Sequence, residues 1–195
     1  IKNVRVLDRT FNYNPRRAKE LLRLFLEFSP DICFHLEIHP ALLSEELKKE
    51  LRQLPAGLLH LEAGIQSLRE PVLEKSQRIG KLSDALEGLK FLCSLSNMET
   101  HADLIAGLPL YRLDEIFEDI YTLAGYRAGE IQLESLKLLP GTEMRHRADE
   151  LGIRYSPLPP YEVLQTGEIS VSELQTARRL SRLLDAFYNT PAWQE

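Results

Sequence analysis

Five short strand-like runs alternate with four helical stretches between Val4 and Leu138, and that alternation leaves few folds open to the chain. Val4-Arg5-Val6-Leu7-Asp8 is a short β-branched run. Asn14 then offers a helix N-cap, Pro15 fits the first helical position, and apolar residues continue through LLRLFLEF. The pattern returns three times: DICFHLEI leads to the helix SEELKKELRQL, GLLHLEAGI to a helix over residues 82–95, and METHADLIAGL to LDEIFEDIYTLAG. EIQLESLKL is a fifth strand, stopped by Pro140-Gly141-Thr142. Two parallel strands need a crossover long enough for a helix, so strands alternating with helices of this length mean parallel βαβ units. The expectation is an α/β fold: a partial TIM-type barrel of about five parallel strands over residues 1–143, followed by a C-terminal helical extension over 144–195.

In that extension the rhythm breaks. A short helix around EMRHRADEL precedes YSPLPPYEV, whose three prolines read as a linker without regular structure. Ser170 and Glu173 form a capping-box pair that opens an amphipathic helix with Leu174, Ala177, Leu180, Leu184 and Phe187 on its apolar stripe. At 195 residues and 44% hydrophobic content the chain can bury a sizeable core. A net charge of −5 argues against a broad nucleic-acid surface, and no run of eighteen apolar residues or signal-peptide pattern is present. A soluble, cytoplasmic chain with no nucleic-acid or membrane partner is expected. Because it starts without Met and enters a strand almost at once, it reads as an excerpt of a longer polypeptide. Its Val4–Asp8 edge is open to self-association.

Buried parallel strands usually read as continuous apolar runs, and these do not. His35, Glu37 and His39 share one parity, as do His60, Glu62, Gly64 and Gln66 in the next strand and His101 and Asp103 in the one after. Side chains alternate faces with period two, so one face of at least three strands is lined with ionisable groups. Burying so many for stability alone is costly unless they are paired. A ligand-lined concave face fits better. Gln66, Arg78 twelve residues on, and Asp103 lie at or beyond strand ends, where parallel α/β folds bind ligands. Taken singly, His60 and Glu62 can be purely structural, and His146 sits on a helix that reads as solvated.

The series LDRTFN, LEIHP, GIQS followed by Arg78, DLIAGLP and LPGT is similar, in order and spacing, to the later strands of radical S-adenosylmethionine enzymes over about residues 4–143. The nearest branch carries an N-terminal cobalamin-binding domain and includes anaerobic magnesium-protoporphyrin monomethyl ester cyclases; oxygen-independent coproporphyrinogen oxidases share the spacing. The resemblance implies S-adenosylmethionine as cofactor and a small-molecule substrate. It assigns the backbone of Asp8-Arg9-Thr10 and the carboxylate of Glu37 to the cofactor's ammonium, and Gln66 to a polar contact. Arg78 goes to the methionyl carboxylate, which suits a planar guanidinium fork. Asp103 falls to the ribose hydroxyls, and Ala106-Gly107-Leu108-Pro109 to a close backbone approach to adenine.

One departure is large. The family signature CxxxCxxC, whose thiolates hold three irons of a [4Fe–4S] cluster, is missing, and the isolated Cys33 and Cys93 sit in apolar runs that read as buried. The cluster ligands and any cobalamin domain are therefore expected upstream in the same polypeptide, with this chain alone inactive. Two other readings stay open: a degenerate barrel kept as a binding or scaffold module, and a metal-dependent barrel hydrolase with His35, His39, His101 and Asp103 as ligands. In the radical reading none of these residues is a metal ligand.

Overall fold

A computed structural model describes residues 1–190 of the chain. The strands β1 (Asn3–Arg5), β2 (Cys33–Ile38), β3 (Leu59–Gln66), β4 (Glu99–Ala106) and β5 (Glu130–Ser135) form one parallel sheet in sequential order, the strand plan of a partial (β/α) barrel. Between them run α1 (Pro15–Leu26), α2 (Glu45–Gln53), α3 (Glu70–Lys75), α4 (Leu82–Cys93) and α5 (Leu113–Gly125). After β5 come α6 (Glu143–His146), the short strands β6 (Arg154–Tyr155) and β7 (Val163–Gln165), and α7 (Val171–Leu183). Among the described residues no helix is long and apolar enough to cross a membrane.

The chain separates into two compact units, one of residues 1–65, 80–102 and 126–130, the other of residues 66–79, 103–125 and 131–190. In the first unit, Asn14 caps α1 by accepting from Arg17 N–H, with Pro15 at the first helical position. The helix buries Ala18, Leu22 and Phe25, and the Phe25 ring stacks on Phe34 of β2 with centroids 4.0 Å apart. Ser44 caps α2 through Leu47 N–H. Gly88 lets α4 approach the turn at residues 40–42, because a Cβ there would run into the Pro40 carbonyl. Along β2 and β3 Phe34, Leu36, Ile38, Leu59, Leu61 and Ala63 are buried on one face, while His35, Glu37, His60 and Glu62 are half-buried on the other.

In the second unit the capping box opens α7: Glu173 N–H donates to Ser170 Oγ and Ser170 N–H to Glu173 Oε2. Leu174, Ala177 and Leu184 are buried as expected, but Phe187 is 56% exposed. The helix widens into a π-helical turn over Leu184–Tyr188, and the wider turn carries Phe187 off the apolar stripe. Asn189 closes this segment by bracketing Ile131, whose N–H it accepts and whose carbonyl it donates to. Residues 154–165 are also more ordered than their prolines implied. β6 and β7 pair antiparallel, because Pro157, Pro159 and Pro160 all fall in the connecting loop, where no ladder donor is lost. A second correction concerns the cysteines: Cys33 and Cys93 are half-buried, not buried, since each lies at an element end with one flank open.

Candidate functional site

Four of the expected cofactor residues belong to the second unit. Gln66 ends β3 with φ 74°, a left-handed conformation that costs a non-glycine residue about 1–3 kcal/mol and persists only where its surroundings impose it. Here they do. The next three residues are clamped by Asp119 of α5, whose carboxylate accepts from Leu68 N–H at 2.7 Å, Ser67 Oγ–H at 3.3 Å, Arg69 Nε–H at 2.9 Å and Tyr111 Oη–H at 2.6 Å. Burial and the adjacent Asp119 charge push the Tyr111 hydroxyl far above its usual pKa, so it remains a donor. Gln66 Oε1 is itself buried with no hydrogen-bond partner among the described residues, an orphaned acceptor at a strand end.

Arg78 follows α3 and is half-buried; burial lowers its pKa, and the negative charge of Asp103 on β4 opposes that shift. The structure thus brings the expected base and acid of the cofactor site together. Gly107 has φ 93°, and the volume a Cβ would fill is taken by Val163, 3.3 Å away, and by Leu136. Its glycine character therefore serves the packing of β7 as well as the backbone conformation.

The other expected residues belong to the first unit. The Asp8 carboxylate pairs with Arg17 Nη1 at 2.5 Å and accepts Thr10 N–H, and the Arg17 hydrogen bond is the main reason its pKa is lowered. The Thr10 carbonyl takes the N–H of Tyr13, and Arg9 is exposed. The Glu37 carboxylate lies 3.8 Å from Arg5 Nη2. Asn12 holds this region to the end of β2 through paired 2.9 Å hydrogen bonds with the His39 backbone.

Sequence parity missed how tightly the polar face closes up. His35 aligns with His60 and Glu37 with Glu62 across β2 and β3. The His35 and His60 rings stack with centroids 4.6 Å apart, and His101 stands edge-on to both. His60 Nε2 is 2.9 Å from His101 Nδ1, while His60 Nδ1 is 3.2 Å from Glu99. Glu62 accepts from Arg5 at 2.6 Å and is 2.8 Å from His35 Nε2; the hydrogen bond from His101 leads the causes that hold its carboxyl at about 2. His60, which can be read as merely structural, is thus a full member of the cluster. His39 is not, since its buried ring lies beside Gly80. Asp119 also escaped the sequence reading. Its signal was a carboxylate between Ile116 and Leu123 on the buried stripe of α5.

The residues present do not fit a [4Fe–4S] cluster. Cys33 starts β2 and Cys93 ends α4, and two thiols cannot supply three cluster ligands.

Comparison with known proteins agrees with this architecture. The heme chaperone HemW of Haemophilus influenzae is 27% identical over 129 residues, which are 65% of this chain and 32% of HemW. The radical S-adenosylmethionine methyltransferase TsrM of Kitasatospora setae, solved with cobalamin and a [4Fe-4S] cluster bound, superposes with TM-score 0.64 at 19% identity, covering 89% of this chain and 37% of TsrM. The chain has the radical S-adenosylmethionine fold. Coproporphyrinogen III oxidase (HemN) from Escherichia coli, a radical SAM enzyme, shares that fold with TM-score 0.53 at 15% identity, over 72% of this chain and 38% of HemN. Residues 149–195 match a family described as "Protein of unknown function (DUF4080)". The chain spans about a third of the length of HemW. Within the radical S-adenosylmethionine fold, Gln66 and Gly107 lie at the carboxyl ends of β3 and β4.

Proposed function

We propose that the chain is the S-adenosylmethionine-binding part of a radical S-adenosylmethionine enzyme acting on a small-molecule substrate, with the cluster ligands supplied by upstream residues of the same polypeptide. The observation that carries this reading is the second unit's arrangement of an orphaned Gln66 Oε1, a half-buried Arg78 and its neighbour Asp103. An amino acid joined to a nucleoside needs a cation for its carboxylate, an acceptor for the ribose diol and an amide for its remaining polar edge. These residue types meet that need. The bound cofactor and cluster supply radical initiation. The residues of this chain bind, orient and exclude water. Likeness to TsrM, solved with cobalamin, supports placing the protein in the cobalamin-dependent branch. A tetrapyrrole cyclase-like or methyl-transferring reaction is the finer expectation of that branch.

The test is anaerobic reconstitution with iron and sulfide. This chain alone should hold no stable [4Fe–4S] cluster, whereas the polypeptide extended upstream through a CxxxCxxC loop should hold one and release 5′-deoxyadenosine on reduction. In the extended protein, Arg78→Ala and Asp103→Ala should each weaken S-adenosylmethionine binding by about 1–3 kcal/mol while leaving cluster content unchanged. An upstream sequence without a cysteine triad would overturn the enzymatic reading in favour of a degenerate binding module.

A further inference from the structure

The histidine cluster of the first unit uses no residue of the cofactor set and calls for its own account. His35, His60 and His101 come from three consecutive strands, β2, β3 and β4. Each offers a ring nitrogen within 4.8 Å of the other two. A cluster kept only for packing would not be expected to place two ring nitrogens 2.9 Å apart, an arrangement that demands a shared proton. Nor does it explain the surplus of carboxylates around the rings: Glu62, Glu99 and Glu130 all lie within 4 Å of an imidazole nitrogen, with Arg5 paired to Glu62. The site is rich in donor atoms and converging.

We propose that His35, His60 and His101 form a binding site for a divalent first-row transition ion, with zinc the best fit. Three imidazoles suit zinc, iron, cobalt or nickel, and disfavour magnesium and calcium, which prefer all-oxygen shells. Tetrahedral ligands at about 2.0–2.1 Å from the ion stand about 3.3 Å from one another. The 2.9 Å separation of His60 Nε2 and His101 Nδ1 therefore needs to open by only a few tenths of an ångström. Orienting partners are in place: Glu99 takes His60 Nδ1–H, which turns Nε2 towards the ion, and Arg5 steadies the Glu62 carboxylate. An ion held by these three histidines ties β2, β3 and β4 together near their amino-terminal ends and leaves its fourth position to water.

The experiment uses the 195-residue chain, stripped with chelator and titrated with zinc by calorimetry and with cobalt by visible absorption. The expected result is one equivalent bound, the d–d bands of tetrahedral cobalt, and a melting temperature that rises with metal. His60→Ala and His101→Gln should abolish the bands and lower affinity beyond the roughly 10–100-fold expected of an orienting residue such as Glu99. His146→Ala, at an exposed histidine outside the cluster, should change nothing. If His101→Gln fails to fold, His35→Gln at the half-buried position decides the matter in its place. The proposal is overturned if no saturable binding occurs, if binding survives the folded histidine variants, or if alkylating Cys33 and Cys93 removes it.

Discussion

Asp119→Ala is the substitution whose cost follows most directly from the structure. The carboxylate is 1% exposed and accepts four hydrogen bonds, from one backbone N–H, two hydroxyls and a guanidinium. Removing it leaves Leu68 N–H and the fully buried Tyr111 hydroxyl without their acceptor, while Arg69 keeps its 2.7 Å pair with the exposed Glu118 and a 3.5 Å contact to the Glu115 carbonyl. Breaking a buried charged pair from one side costs about 3–5 kcal/mol, a large share of the 5–15 kcal/mol typical of a folded protein. Urea unfolding followed by far-UV circular dichroism should give that loss, and the melting temperature should fall by about 6–20 °C, at 2–4 °C per kcal/mol for a chain of this size. Tyr111→Phe removes one donor from a carboxylate that keeps three others, so it should cost less, about 1.5–3 kcal/mol. The two changes should be strongly coupled in a double-mutant cycle. Below the lowered melting temperature, Asp119→Ala should also weaken S-adenosylmethionine binding, because the clamp fixes the residues that follow Gln66. An Asp119→Ala cost under about 1 kcal/mol, or one matched by Tyr111→Phe, would refute the reasoning.

Two further outcomes are expected. Asp8 has a folded pKa lowered chiefly by Arg17, so its contribution is present above the unfolded carboxylate value of about 4 and is lost as pH falls through the folded value. Because Arg17 is half-exposed, the effect should stay under about 1 kcal/mol; the difference in unfolding free energy between wild type and Arg17→Ala, measured from pH 7 to pH 2.5, should shrink with acid, and a difference that grows would contradict the assignment. At the sheet edge β1 pairs, among the described residues, only with β2, so the chain should self-associate through its Asn3–Arg5 backbone. Sedimentation velocity should show a concentration-dependent dimer that Val4→Pro suppresses; monomer at every concentration would dismiss the contact.

The sequence by itself determined the order of elements and much of their local chemistry. Five strand-like runs with helices between them admit little besides a parallel sheet, and Asn14-Pro15, Ser44 and the Ser170–Glu173 pair mark helix starts through hydrogen bonds made within four residues. Alternating parity likewise placed His35, Glu37, His60, Glu62 and His101 on one face, because side-chain direction in a strand is a local property. The tertiary structure decided what depends on pairs distant in the chain. The β2–β3 register sets His35 beside His60, and a one-residue slip of β3 would have moved His60 and Glu62 to the helix-covered face. Asp119 meets Leu68 across fifty-one positions, and only folding shows that the carboxylate is a clamp and not a helix defect. The pairing of β6 with β7 depended on all three prolines falling in the loop between them, and the outward turn of Phe187 on a single widened helical turn. Local periodicity fixes which way a side chain points, whereas what it meets there is set by register and packing between segments that the sequence keeps apart.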